Sequence, residues 1–346
     1  MRRPRGGTRA LAAAIAALAV AAAAAVALLL IGDGGGGGGS SRIEVIESRR
    51  LDSRLHEVTM RTPSIGAEVG VRVLLPAGYE RSRSEFPVLY LLHPATGDRR
   101  FWTDTAGVAA LAKNLDAIVV MPDGGARGFY SDWQENGDRP SPRWESFHVD
   151  ELIPWVDSEF RTVESADGRA VAGASMGGLG ALMYAARHPD LFGVTASFSG
   201  PAELRPETMN PLLRSVRMSP ALAERIWGDP ETDLENWVRH DPVSLAGDLR
   251  GVEVILHVGN GRPIGYEGPL RDPIELKLFR MNLRLHERLA ELGIRHEWSP
   301  GIGAHNLSRF RTGLARTLPR IAEVFDARSS DRLSSSPPPK VTWPSG

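Results

Sequence analysis

Arg169-Ala170-Val171-Ala172-Gly173-Ala174-Ser175-Met176-Gly177-Gly178 is the stretch on which the fold turns. The apolar run up to Ala174 is short and reads as a buried strand. After Ser175 the pattern becomes an Ala/Gly-rich helix over Met176–Arg187, which Pro189 stops. Gly-x-Ser-x-Gly between a strand and a helix is the nucleophile elbow in the context that gives it meaning. The bend is tight enough that side chains flanking the Ser would strike neighbouring backbone, so Gly173 and Gly177 are demanded there. Ser175 would stand on the crest with its hydroxyl exposed. Behind it, the helix amino terminus offers free N–H groups and a positive dipole end to a developing oxyanion.

Working outward, short β-branched runs at 69–75, 88–92, 117–121, 194–199, 252–258 and 296–299 read as further strands. Helical spacing appears at 150–160, with Pro154 and Trp155 out of pattern, and at 274–292. Strands alternating with helices predict a mainly parallel sheet with helices on both faces, an α/β fold with its chemistry at the strand carboxyl ends.

Lys and Arg number 41 against 42 Asp and Glu, a net charge of −1. A nucleic-acid binder would show a basic excess, so that class is set aside. Charged residues at 24% and hydrophobic ones at 42% describe a globular chain. The absence of cysteine excludes a disulfide scaffold, a thiolate zinc site and an iron–sulfur cluster. No His-Glu-x-x-His or clustered carboxylate signature is present, so neither a metal nor a cofactor is expected.

Arg2, Arg3, Arg5 and Arg9 precede a charge-free stretch at 10–31. At about 1.5 Å per residue this stretch would span roughly the 30 Å core of a bilayer as a helix. Residues 1–31 are therefore expected to be a signal peptide or membrane anchor, with everything beyond Ile31 exported and membrane contact confined to 10–31. Gly34 to Gly39 place a flexible linker at 32–41. One catalytic domain is expected over 42–328, followed by a disordered Ser/Pro-rich tail at 329–346.

A hydroxyl is a weak nucleophile until a base takes its proton, and His suits that task near neutral pH. Hydrolases on this type of fold run in the order Ser, acid, His. Of the 9 histidines, His56, His93, His148, His188, His240 and His257 precede any plausible acid, while His286 and His296 fall in a helix and by a strand. His305, in Gly301-Ile302-Gly303-Ala304-His305-Asn306, lies on a glycine-rich loop between the last strand and a final helix and is the expected base. Glu267, Asp272 and Glu275 all lie between the 252–258 strand and His305, and spacing alone does not choose among them.

Several patches carry a resemblance: Leu89-Tyr90-Leu91-Leu92, Met121-Pro122-Asp123-Gly124-Gly125, Phe129-Tyr130-Ser131-Asp132-Trp133 and Trp144-Glu145-Ser146-Phe147. With them go Trp227-Gly228-Asp229-Pro230 and Gly259-Asn260-Gly261-Arg262-Pro263. Over roughly 71–318 the chain resembles the Putative esterase family of α/β hydrolases, most closely the actinobacterial mycolyltransferases of the antigen 85 complex. The resemblance implies the α/β-hydrolase fold and a Ser, Glu, His triad. In that family the Glu opens a Glu-x-x-x-x-x-x-Asn-Leu helix segment, which Glu275 and Asn282-Leu283 match, so the resemblance selects Glu275. It also implies an oxyanion hole from the backbone N–H groups of Met176 and Ala95. A four-residue segment and one further position depart from the family pattern. His93-Pro94-Ala95-Thr96 replaces Asp-Gly-Leu-Arg, and Leu307 replaces an aromatic. Both help bind trehalose in the relatives.

The expected function is that of an exported serine esterase or acyltransferase working through an acyl-Ser175 intermediate. Its partner would be an ester or acyl-lipid substrate, with a sugar as a further acceptor. The alternatives are mycolyltransferase-like transfer to a sugar such as trehalose and a non-catalytic envelope binding protein on the same fold.

Overall fold

The computed structural model describes residues 43–265 and 268–335. The 1–31 segment, the 32–41 linker and Glu267 lie outside them. Among the described residues no helix is long and apolar enough to cross a membrane.

The strands are β1 (Glu44–Arg50), β2 (Leu55–Arg61), β3 (Glu68–Leu74), β4 (Val88–Leu92), β5 (Ile118–Pro122), β6 (Arg169–Ala174), β7 (Val194–Phe198), β8 (Glu253–Gly259) and β9 (His296–Gly301). They form one sheet in the order β1-β2-β3-β5-β4-β6-β7-β8-β9. The first three join by antiparallel pairing, and every pair from β5 onward is parallel. The chain leaves β4 to build β5 on one side and β6 on the other. The crevice outside the ends of β4 and β6 is thus a topological switch point, where such sheets hold ligands.

The named helices are α1 (Ile153–Glu159), α2 (Met176–Arg187), α3 (Pro206–Ser215), α4 (Ala221–Trp227), α5 (Leu234–Val238), α6 (Pro273–Glu291) and α7 (Leu307–Ser335). Alternation along each strand divides the core between the two faces of the sheet. Val88, Tyr90 and Leu92 of β4 join one apolar cluster with Leu179 and Leu182 of α2 and Leu278 and Leu285 of α6. Leu89 and Leu91 join the other with Trp102 and with Phe310, Leu314 and Ile321 of α7. This is the α/β-hydrolase architecture.

Several features differ from the sequence expectation, β2 and helices α3 to α5 among them, for which no element was expected. β1 is exposed along its whole length, because a charged edge strand (Glu44, Glu47, Arg49, Arg50) discourages edge-to-edge pairing and leaves no apolar alternation to read. The helix expected over 150–160 starts earlier, α-helical over Trp144–Ser146 and π-helical over Phe147–Leu152, and is α-helical again from Ile153. Pro154, which has no N–H to give, sits in the first turn of that α segment. The last helix passes Arg328 and continues to Ser335. Serines alone do not stop a helix, and the first strong breaker in that sequence is Pro337.

Candidate active site

Ser175 occupies the bend between β6 and α2 with φ 52° and ψ −118°, a conformation that costs a non-glycine residue on the order of 1–3 kcal/mol. The surroundings hold it there. Ser175 N–H donates to Phe198 O at 2.9 Å, and its own carbonyl accepts from Gly178 N at 2.8 Å. A Cβ on Gly173 would lie 2.3 Å from Gly177 O, and one on Gly177 would lie 2.4 Å from Leu92 O. Neither backbone could yield, so the demand for glycine at these positions has a steric cause.

From this crest a line of polar contacts runs inward. Ser175 Oγ lies 2.9 Å from His305 Nε2, and His305 Nδ1 lies 2.9 Å from Glu275 Oε2. His305 stands on the loop between β9 and α7, and Glu275 in the first turn of α6. Glu275 is 0% exposed, and a buried carboxylate survives only when its oxygens are paired. Its second oxygen, Oε1, accepts Ser199 Oγ–H at 2.5 Å and the Gly259 N–H. Ser199 takes φ 53° just past β7. Its place at a strand's carboxyl end was the only signal in the sequence that it belonged here.

Asp272, a competing acid, does a different job. It caps α6, with Oδ1 accepting from Ile274 N at 2.9 Å and Glu275 N at 3.4 Å. Its other oxygen accepts His305 N–H at 2.7 Å. One carboxylate thus ties the helix bearing Glu275 to the loop bearing His305. Arg309 braces the same loop from below, donating to Val258 O at 2.5 Å and Ser299 O at 3.2 Å. Asp272→Asn can satisfy only one of these two faces. It is expected to lower kcat/KM about 10- to 100-fold with KM nearly unchanged, and to cost about 1 kcal/mol as a lost cap. Steady-state kinetics and urea titration on one preparation check both figures, and an unchanged kcat would refute the coupling.

Ala95 and Met176 line the same cavity as Ser175 and His305. Met176 is the first residue of α2, where N–H groups have no intrahelical partner. The Ala95 loop is held by His93, which sequence reasoning passed over. Its Nδ1–H donates to Pro94 O at 2.8 Å and its Nε2 accepts Gly124 N–H at 2.9 Å. Tyr130 O–H donates to His93 O at 2.9 Å. His148, also buried, donates from Nε2 to Asp123 O at 2.8 Å and accepts Tyr184 O–H at Nδ1, 2.9 Å away.

Burial holds both histidines neutral, with His93 pushed down from the usual range and His148 to about 4. His257, buried near Arg309 and Arg316, is likewise pushed to about 4. The folded protein therefore binds fewer protons than the unfolded chain between pH about 6.5 and 4. Stability is fully present above the upper limit and is lost as pH falls through the window, about 3 kcal/mol each for His148 and His257. The urea midpoint should drop steeply between pH 7 and pH 4.5, and a flat midpoint would contradict the neutral assignment.

Among the described residues no group of three or more His, Asp or Glu side chains is placed to hold a metal ion. A strained serine at a switch point, in line with an imidazole and a buried carboxylate, defines a serine-hydrolase type of site on an α/β-hydrolase fold. Residues 62–321 match the family model described as "Putative esterase". The chain belongs to that esterase family.

It is 35% identical over 269 residues to Esterase Rv1288 of Mycobacterium tuberculosis H37Rv, a match covering 76% of this chain and 58% of that protein. It is 33% identical over 214 residues to the diacylglycerol acyltransferase/mycolyltransferase Ag85B of Mycolicibacterium smegmatis, covering 58% of this chain and 63% of the relative. The chain thus spans under two thirds of either protein's length. Among solved structures, an S-formylglutathione hydrolase from Agrobacterium tumefaciens superposes with TM-score 0.62 at 20% identity, over 82% of this chain and 99% of that one. Mycobacterium tuberculosis MPT51 does so with TM-score 0.61 at 21% identity, over 77% and 96%. These two likenesses speak to the fold.

Proposed function

We propose that this chain is an exported serine esterase or acyltransferase that cleaves carboxylic esters through an acyl-Ser175 intermediate. The observation that carries the reading is the unbroken line Ser175 Oγ, His305, Glu275, with 2.9 Å at both contacts. In this reading Glu275 holds His305 with Nδ1–H toward the carboxylate, leaving Nε2 free to accept the Ser175 proton. Ser175 Oγ attacks the ester carbonyl, and the N–H groups of Met176 and Ala95 receive the oxyanion. His305 then returns the proton to the leaving alkoxide. Water, or a sugar hydroxyl, enters by the reverse path to release the acyl group. Export rests on the arginines and the charge-free stretch 10–31.

The runner-up is transfer to a sugar such as trehalose, favoured by the likeness to the mycolyltransferase Ag85B. The replacements at His93–Thr96 and Leu307 weigh against a trehalose acceptor. Chromogenic acyl esters offered with and without trehalose, to the wild type and to Ser175→Ala, test the proposal. Ester cleavage that depends on Ser175 and yields free acid supports the esterase. Acyl-trehalose as the main product would establish the transferase, and equal rates in both proteins would sink both.

A further inference from the structure

The cavity beside Ser175 has a volume of about 50 Å³. A water-sized group needs about 10–15 Å³ measured this way, so the space holds on the order of four such groups. Apart from Ser175 and His305 its lining is apolar, with no charged side chain.

The walls are supplied by two helices. Leu212 and Leu213 come from the second half of α3, just after Pro211 inside the helix. The chain then reverses at Arg217, φ 58°, with Met218 N–H donating to Leu213 O at 2.8 Å. That reversal brings both Val216 and Met218 to the cavity, and Ile274 and Leu278 of α6, which packs on α3, complete the wall.

Most of these side chains are core, with Val216 and Ile274 half-buried against it. Leu212, Leu213, Met218 and Leu278 belong to the main apolar cluster, and Leu213 and Leu278 are each 1% exposed. Close-packed residues cannot swing aside without opening a void elsewhere, so the size limit is built in.

Resting on the acyl-Ser175 reading above, we infer that the acyl group accepted here is short, straight and uncharged, with about two to four carbons. Leu212, Val216 and Met218 set the limit. A long fatty acyl chain or an aromatic acyl group exceeds the space between these walls and would have to leave part of itself in the open mouth, and a charged acyl group finds no counter-charge in it.

The test is a series of p-nitrophenyl esters from acetate to dodecanoate, with Ser175→Ala as the blank. Each methylene that fits should raise kcat/KM roughly fourfold. The maximum is expected at about two to four carbons, with a fall of at least about tenfold by eight. Leu212→Ala and Met218→Ala should each move the maximum about two carbons higher, in preparations whose melting curves show them folded. The wild-type profile decides the matter even where a variant does not fold. Ser175-dependent rates that keep rising to eight carbons or more would overturn the short-acyl limit and leave the esterase standing. An absence of Ser175-dependent cleavage at every length would overturn the esterase, and the inference with it.

Discussion

Ser175→Ala is expected to lower kcat by about 10⁴-fold or more on any ester the protein cleaves. It should also abolish the covalent adduct formed with a fluorophosphonate, read by intact mass. Alanine keeps the Cβ and loses only the hydroxyl, so the strained bend and its hydrogen bonds to Phe198 and Gly178 survive. His305→Ala should fall by a similar factor, since an alkoxide is not formed without its base. The double variant should fall little further, because groups that act as one unit do not contribute additively. Independent, multiplicative losses would mean that the 2.9 Å contact between Ser175 and His305 does not carry the proton.

Glu275→Gln should cost about 10³- to 10⁴-fold in kcat while leaving the fold in place. Three donors converge on this carboxylate: His305 Nδ1, Ser199 Oγ and Gly259 N. An amide has one acceptor oxygen and one NH2. With the oxygen toward Ser199 and Gly259, the NH2 faces His305 and favours the tautomer with its proton on Nε2. That tautomer cannot accept from Ser175, and a wrong tautomer of this kind is worth about 10⁴ in a well-studied triad. With the amide reversed, the buried Gly259 N–H loses its acceptor and stability falls by about 1–3 kcal/mol. Kinetics and urea titration read together separate the two outcomes. If Glu275→Gln keeps near-normal kcat and normal stability, Glu275 is not the acid partner. A larger loss in Asp272→Asn than in Glu275→Gln would move that role to Asp272.

The elbow was legible because several requirements coincide within a few residues: a buried strand, two glycines forced by backbone contact, and a helix start. His305 was legible from chain order and its glycine-rich loop. The acid was not, since a glutamate near the start of an amphipathic helix has the same local pattern whether it faces water or, like Glu275, is wholly buried. Asp272 shows the same degeneracy. An Asp before Pro273 at a helix start is a cap by pattern, and its second contact, with His305 N, is long-range and leaves no local trace. The cavity walls were invisible for another reason. Helices α3 to α5 are short and interrupted or preceded by prolines, so no periodicity marks them. The fold was readable where burial on both faces imposes unbroken apolar runs, as in β4 to β7, and unreadable at β1, where an edge exposed to water imposes none.

Helix α3 and the reversal at Arg217 are an excursion between β7 and β8, whereas Ser175, Glu275 and His305 hang from the ends of the sheet or the loops and helix next to them. The residues inferred to limit the acyl group, Leu212, Val216 and Met218, therefore stand on a segment apart from Ser175, Glu275 and His305, although the cavity they close is completed by α6 and by Ala95 and Met176. A change confined to that excursion is expected to alter which acyl groups fit while leaving the Ser175, His305 and Glu275 contacts in place.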